Sequence, residues 1–249
     1  MAFPILHYKF DEASGSTFSD DRYADLDGTI DTNFGSFVTG KIGTGFKCQA
    51  TGLGEVPAVS TTHARLDALG EENSKYSICA WLFSDAKQTT FSRIFEKPGT
   101  PYPMVLRQRL SDDRVLLALW DGTNNPVKRT ENPAPIGEWF HVVFQVDREN
   151  KTIRSWTNAN LDPEVVTDTT VGDISNTENL IWGNVSGSLD RKWNGIVDDF
   201  RIYDFLLTQT HIDFIYNNGT GRQDYGPQAG KGMPNGGMLA ARKARGRAL

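Results

Sequence analysis

The sequence predicts an all-β sandwich, and three observations carry that prediction. Short apolar runs recur through FSRIFEK, MVLRQRL and RVLLALW, at the interval of about ten residues expected of short antiparallel strands. The run YSICAWLF, Tyr76 to Phe83, is apolar on both faces, as a strand central in a sandwich must be. In GIVDDFRIY, Gly195 to Tyr203, Ile196, Phe200 and Ile202 fall on one face and Val197, Asp199, Arg201 and Tyr203 on the other. That is the period of two imposed by a sheet. With 249 residues, 38% hydrophobic and 11% aromatic, the chain has material for one large core.

Taken in order, the first strand covers Phe3 to Phe10, with Leu6, Tyr8 and Phe10 on one face and His7 and Lys9 on the other. No basic region precedes the short apolar run of MAFPILHYKFDEASG, so this start reads as a strand and not as an export signal. An acid-rich loop follows, with Asp20, Asp21, Asp25 and Asp27. GFKCQA and YSICAWLF each carry one of the two cysteines, Cys48 and Cys79. They form either one disulfide or two buried thiols, and the missing export signal favours thiols. Asp121-Gly122 marks a turn after Trp120. EWFHVVFQVD and KTIRSWTN, joined through Arg148-Glu149-Asn150, read as a hairpin. After the last strand Thr208 can cap a short helix that Asn217-Asn218-Gly219 ends, with Gly219 suited to the left-handed conformation.

Several of these segments together resemble the laminin-G-like domains of the concanavalin A-like lectin and glucanase superfamily. The form G-x-hydrophobic-D-D-hydrophobic-R-hydrophobic-Y is met by Gly195 to Tyr203 and is followed by the helix ending in asparagine and glycine. LHYKFDEASG resembles the family's opening strand, IGTGFKCQA its glycine-flanked strand, EWFHVVFQVD its W-x-H-V strand and LIWGN its short strand ending in glycine. The acid-rich loop departs from the family's glycine-rich loop in having only Gly28. The resemblance spans roughly residues 3 to 220. It implies a concanavalin A-like jelly-roll β-sandwich over residues 1–220 with neighbouring first and last strands. Residues 221–249 then form an extended C-terminal tail.

Catalysis finds no support in the residues. Sandwich glycoside hydrolases place carboxylates on one strand face, as in E-x-D-x-x-E, and no such string occurs here. G-x-S-x-G, H-E-x-x-H and C-x-x-C are also absent. His141 lies beside Trp139 and Val143 and reads as a packed, hydrogen-bonded histidine. Calcium is the one cofactor with a case. Strand alternation puts Asp198 on the apolar side with Ile196, Phe200 and Ile202, where a carboxylate needs a partner. Asp11 closes the first strand, which the resemblance sets beside the last, and the resemblance thereby makes Asp11 and Asp198 the metal candidates. The alternative is that Asp198 caps backbone amides or pairs with Arg201 or Arg191. For glycan binding, which the resemblance implies, the candidates are Trp120, Trp156, Trp182, Tyr102, Arg107 and Arg109. Each of them can equally be absorbed by packing.

The tail, residues 221–249, has six Lys or Arg and one acid, a net of +5 against −10 for the remainder. It is rich in glycine and poor in aromatics, so it builds no core of its own. Met233, Met238 and Leu239 could fill apolar pockets of a neighbouring subunit, with Arg242, Lys243, Arg245 and Arg247 pairing at the rim. The other readings are an anionic membrane surface, nucleic acid, or a disordered solubilising tail. A chain net charge of −5 argues against a general nucleic-acid binder, and no run of about eighteen apolar residues spans a membrane. The expectation is a non-catalytic structural or attachment protein of an assembly, a bacteriophage virion component such as a capsid decoration or tail-associated protein. The alternative is a secreted bacterial carbohydrate-binding module, extracellular or on a cell surface.

Overall fold

Two antiparallel sheets enclose an aromatic core in the computed structural model, which describes residues 3–30, 35–48, 58–59, 64–88, 91–183 and 191–225. Among these residues the larger sheet has nine strands: β1 (Leu6–Tyr8), β4 (Gly35–Thr39), β5 (Thr44–Cys48), β7 (Lys75–Ser84), β12 (Trp139–Asp147), β13 (Thr152–Thr157), β14 (Asn160–Leu161), β15 (Val166–Thr167) and β17 (Gly195–Tyr203). The smaller has six: β6 (Ala58–Val59), β8 (Ser92–Lys97), β9 (Tyr102–Gln108), β10 (Val115–Trp120), β11 (Val127–Arg129) and β16 (Leu180–Trp182). A short pair, β2 (Thr17–Phe18) and β3 (Gly28–Thr29), stands apart. Two short α-helices, α1 (Ala64–Asp67) and α2 (Gln209–Tyr216), and short 3-10 turns at Ala24–Leu26, Ala68–Gly70 and Asn217–Gly219 accompany the sheets.

The all-β expectation holds, and so does its order. The apolar run in β7 lies between β12 and β17, central in the larger sheet. β1 pairs with β17, Tyr8 opposite Phe200, so the first and last strands are neighbours. The smaller sheet runs β11-β10-β9-β8-β16-β6, and its apolar side faces the larger sheet. Trp182 sits at the centre of the core, its ring centroid 4.2 Å from that of Phe200 and 4.9 Å from that of Phe95. Cys48 belongs to this inner core and Cys79 to the opposite face of the larger sheet. They are free buried thiols, each pushed up to about 12 by burial.

Strand β17 departs from simple alternation at one point. Asp199 has φ +48°, and the register with β7 shifts between Asp198 and Arg201. One extra residue in a strand exchanges the faces of everything after it. Val197, Phe200 and Ile202 therefore all face the inner core. Asp198 does not share their face, which corrects the alternation read from the sequence.

The outer face of the larger sheet is covered by α2. Leu207, Ile212 and Ile215 pack on Cys79, Val143, Trp156 and Tyr203. Thr208 caps the helix, its hydroxyl accepting from the His211 amide at 3.3 Å. The left-handed turn after the helix is taken first by Asn217 (φ +49°) and Asn218 (φ +53°), and only then by Gly219. His141 is packed as expected, 5.1 Å from the Trp81 ring. The hydrogen bond expected of it is not there, which corrects that half of the reading: neither ring nitrogen has a partner among the described residues, and burial pulls its pKa down to about 3.

The packed unit continues past residue 220. Tyr225 places its hydroxyl 2.9 Å from His7 Nδ1 and donates to Asp21. Its ring meets Phe3 edge-on at 5.1 Å. Arg201 donates to the Arg222 carbonyl, and the Arg222 guanidinium lies 4.3 Å over the Phe214 ring. A chain ending at Gly219 is thus expected to lose about 2 kcal/mol or more, the worth of these hydrogen bonds, and roughly 4–8 °C in Tm. A chain ending at Tyr225 should keep the full-length Tm. Equal melting of both truncations, read by circular dichroism, would refute an anchoring role for residues 221–225. The anchoring candidates Met233, Met238, Leu239, Arg242, Lys243, Arg245 and Arg247 lie outside the described residues.

Candidate functional site

The outer face of the smaller sheet gathers the polar and aromatic residues that could meet a ligand. Its inner face is set by Met104, Leu106, Val115, Leu117 and Leu119, all in the core. The alternating residues Val105, Arg107, Leu116 and Ala118 point the other way. Register then builds a row across four strands. Arg93 on β8 stands opposite Arg107 on β9, Arg107 opposite Leu116 on β10, and Leu116 opposite Arg129 on β11. Directly opposed side chains in an antiparallel pair have Cβ atoms about 5 Å apart. The guanidiniums of Arg93 and Arg107 are therefore neighbours despite their like charge.

Among the described residues this row is short of anions. Arg93 Nη1 lies 2.7 Å from Glu96 Oε2. Arg107 rests on the exposed ring of Phe91, 5.2 Å from its centroid. Among the described residues neither Arg107 nor Arg129 has a carboxylate partner, and the Nε atoms of Arg93, Arg107 and Arg129 are buried without a hydrogen-bond acceptor. Burial, with Arg93, Arg191 and Arg129 around it, pulls Arg107 down to about 10. At the end of the same strands Trp120 stands opposite Tyr102, ring centroids 5.2 Å apart, both half-buried. Asn125 holds the pair by donating to the Tyr102 hydroxyl at 3.0 Å.

The six glycan candidates therefore separate. Tyr102, Trp120 and Arg107 come together on one face. Arg109 is drawn into the β9–β10 hairpin, where it binds Asp112 at 3.1 Å. Trp182 is enclosed in the inner core, where no sugar reaches it. Trp156 lies under α2 on the other sheet, its Nε1 donating to Gln209 at 2.9 Å. Trp156 and Trp182 are packing residues, which corrects their reading as ligand contacts. Sequence reading missed Arg93 and Arg129. The signal was their register with Arg107, which single-strand patterns do not contain.

The acidic candidates meet a different environment. Asp198 Oδ2 accepts from the Ile42 amide at 2.8 Å in the β4–β5 turn. Asp11 accepts from the Thr44 amide at 3.2 Å in the same turn. That turn approaches closely because it is built with glycine: a Cβ at Gly40 would stand 2.6 Å from Asp198 Oδ2, and one at Gly43 would collide with Asp11. Asp198 thus caps a backbone amide through Oδ2, while its Oδ1 is buried with no hydrogen-bond partner among the described residues. Calcium takes about six to eight oxygens, commonly several carboxylates. Among the described residues no group of three or more His, Cys, Asp or Glu side chains converges, so a calcium ion held by Asp11 and Asp198 would draw its other oxygens from backbone carbonyls and water.

Asp199 serves the fold. Burial alone would raise its pKa, but Arg201 and the His7 hydrogen bond hold it below the usual carboxylate range. Its oxygens accept from Arg201 at 2.9–3.0 Å and from His7 Nε2 at 2.7 Å. A carboxylate only accepts, so His7 carries its proton on Nε2. This network ties β1, β17 and the segment ending at Tyr225 to one another.

Comparison with known proteins agrees with this architecture. Domain 4 of AbnA, an extracellular GH43 arabinanase from Geobacillus stearothermophilus solved with arabinotriose, superposes with a TM-score of 0.62 at 17% identity, over 88% of this chain and 98% of that one. The binding domain of Paraclostridial Mosquitocidal Protein 1 gives 0.69 at 11% identity, over 87% of this chain and 52% of that one. The binding domain of botulinum neurotoxin serotype G gives 0.64 at 15%, over 86% and 50%. The chain thus spans nearly all of the arabinanase domain and about half of each toxin domain. At these identities the likeness establishes the fold. Among curated proteins no match is found. Among the described residues no helix is long and apolar enough to cross a membrane. The family model of the concanavalin A-like lectin/glucanases superfamily matches residues 54–213, from the smaller sheet's edge strand through β17 into α2. With more than half of the chain matched and both facing sheets in place, this protein belongs to that superfamily.

Proposed function

We propose that the chain is a non-catalytic, lectin-like module that binds a glycan on the outer face of its six-stranded sheet. The observation that carries this is the convergence of Tyr102, Trp120 and Arg107 there: a pair of half-buried rings beside a cation with no carboxylate partner among the described residues. Rings of this kind offer an apolar surface for a sugar and a polar edge for its hydroxyls. The non-catalytic part rests on the acids. Glycosidases need two carboxyl groups flanking an accessible bond. The adjacent acids of β17, Asp198 and Asp199, are both fully buried and engaged by backbone amides or by Arg201.

The setting in this proposal is a component of a larger particle, a bacteriophage virion protein. It is supported by the opposed charges of the tail and the rest of the chain, +5 and −10, which suit attachment to a neighbouring subunit through residues beyond Tyr225. A secreted carbohydrate-binding module is the second reading, favoured by the 98% coverage of an arabinanase domain solved with arabinotriose. Proteomics of purified particles separates the two, since a virion component occurs there in fixed stoichiometry. For the binding function, Trp120→Ala is expected to weaken glycan-array binding about tenfold, the loss of one stacking contact of order 1.4 kcal/mol. Its Tm should stay within a few degrees. Reducing sugar released from any bound glycan, and lost on replacing a single carboxylate, would overturn the non-catalytic assignment.

A further inference from the structure

Resting on that binding reading, we infer that the face selects a carboxylated glycan, with the row Arg93, Arg107 and Arg129 holding the acid groups and Tyr102 with Trp120 holding a sugar ring. The first ground is charge. Arg93 and Arg107 are directly opposed and Arg129 follows across Leu116; Glu96 lies against Arg93, and among the described residues no carboxylate pairs with Arg107 or Arg129. Like charges brought together on a sheet destabilise it, so the row is costly unless an anion completes it. The second ground is burial. Arg93 is only 7% exposed, and its Nε, like those of Arg107 and Arg129, finds no acceptor among the described residues. Buried donors without partners are rare in folded proteins, and a bound oxygen anion would satisfy them.

Geometry favours a carboxylate. The guanidinium is a planar fork that matches a planar carboxylate with two parallel hydrogen bonds. Leu116, 1% exposed, separates Arg107 from Arg129 and forms an apolar floor between two anion-holding points. The row itself crosses from β8 to β11, three strand spacings, or about 14 Å at the separation of paired strands. A single sugar does not span that length, whereas a short oligosaccharide does. The ligand is therefore an acidic oligosaccharide with its charges towards the row and a ring on Tyr102 and Trp120.

The test is calorimetric titration of the full-length protein with four probes: oligogalacturonate, its methyl ester, a dextran sulfate oligomer, and neutral arabinotriose. Oligogalacturonate is expected to bind, and its methyl ester to bind at least about tenfold more weakly, the worth of a charge-assisted hydrogen bond. Arg107→Gln and Arg129→Gln should each weaken binding by a similar factor while leaving Tm unchanged or raised, because removing either cation relieves repulsion. Arg107→Lys, which keeps the charge and loses the fork, should not restore full affinity. If arabinotriose binds and the arginine variants bind it equally, the charge assignment is wrong and the glycan-binding function stands. If dextran sulfate alone binds, the carboxylate assignment is wrong. If a broad glycan array also shows no binding, the glycan-binding function falls and this inference with it.

Discussion

Asp199→Ala is expected to cost about 3–5 kcal/mol, the penalty for leaving a buried charge without its partner. Asp199 and Arg201 are both at most 1% exposed. Three hydrogen bonds join them, and a fourth reaches Asp199 from His7. Removing the carboxylate strands a guanidinium that cannot lose its proton, together with a buried imidazole. The carbonyl of Arg222 and the hydroxyl of Tyr203 remain near Arg201 but neither carries a charge. In Tm the loss corresponds to roughly 6–20 °C for a domain of this size. Replacing the pair together, Asp199→Asn with Arg201→Met, should recover much of it, because asparagine tolerates the positive φ of this position and no buried charge is left unpaired. Urea unfolding of the three proteins decides the matter. A single-variant loss below about 1 kcal/mol would show that the pair is not the tie between β17 and its neighbours.

The place where sequence reading failed is the same strand. Short apolar runs and turn residues placed β7, β8, β9, β10, β12, β13 and the capped helix α2 because each is a local pattern. The sandwich itself followed from their number and spacing. What alternation could not show was the extra residue at Asp198–Asp199. A bulge has no apolar signature, and its one local mark is an aspartate, a residue enriched among those with positive φ. The candidate face was legible in part for a similar reason. Arg107, Tyr102 and Trp120 were recognisable as residue types. Arg93 and Arg129 lie 14 and 22 positions from Arg107, and only cross-strand register joins them. Trp156 and Trp182 failed as ligand contacts because a tryptophan reads the same in sequence whether it meets solvent or a core.

Asp198 is expected to make the protein less stable as pH rises. Burial, with the charge of Asp199 beside it, pushes its carboxyl up to about 8 against the amides of Ile42, Lys41 and Asp199 that favour the anion. A carboxyl whose folded pKa is raised contributes stability that is complete below its unfolded value and disappears as pH climbs through the folded one. The window here runs from about 4, the unfolded value, to about 8. Two buried histidines act in the opposite sense. His7 and His141 both have lowered pKa values, chiefly from burial, so they withdraw stability as pH falls below about 6.5. Cys48 and Cys79, pushed up to about 12, withdraw it only above the usual thiol range. Between about pH 6.5 and 8.5, Asp198 therefore outweighs the histidines, while the thiols act in its own sense and only at the upper end. At about 1.4 kcal/mol per pH unit, the loss over that interval is about 2 kcal/mol. Wild type should melt roughly 4–8 °C lower at the upper end. Asp198→Asn retains an oxygen to accept from the Ile42 amide and has no proton to lose, so its Tm should be nearly flat over the same interval. Both profiles should be the same with a calcium chelator present. A chelator-dependent fall in wild type alone would instead make Asp198 a cation ligand, and parallel slopes in the two proteins would show that its carboxyl is ionised throughout.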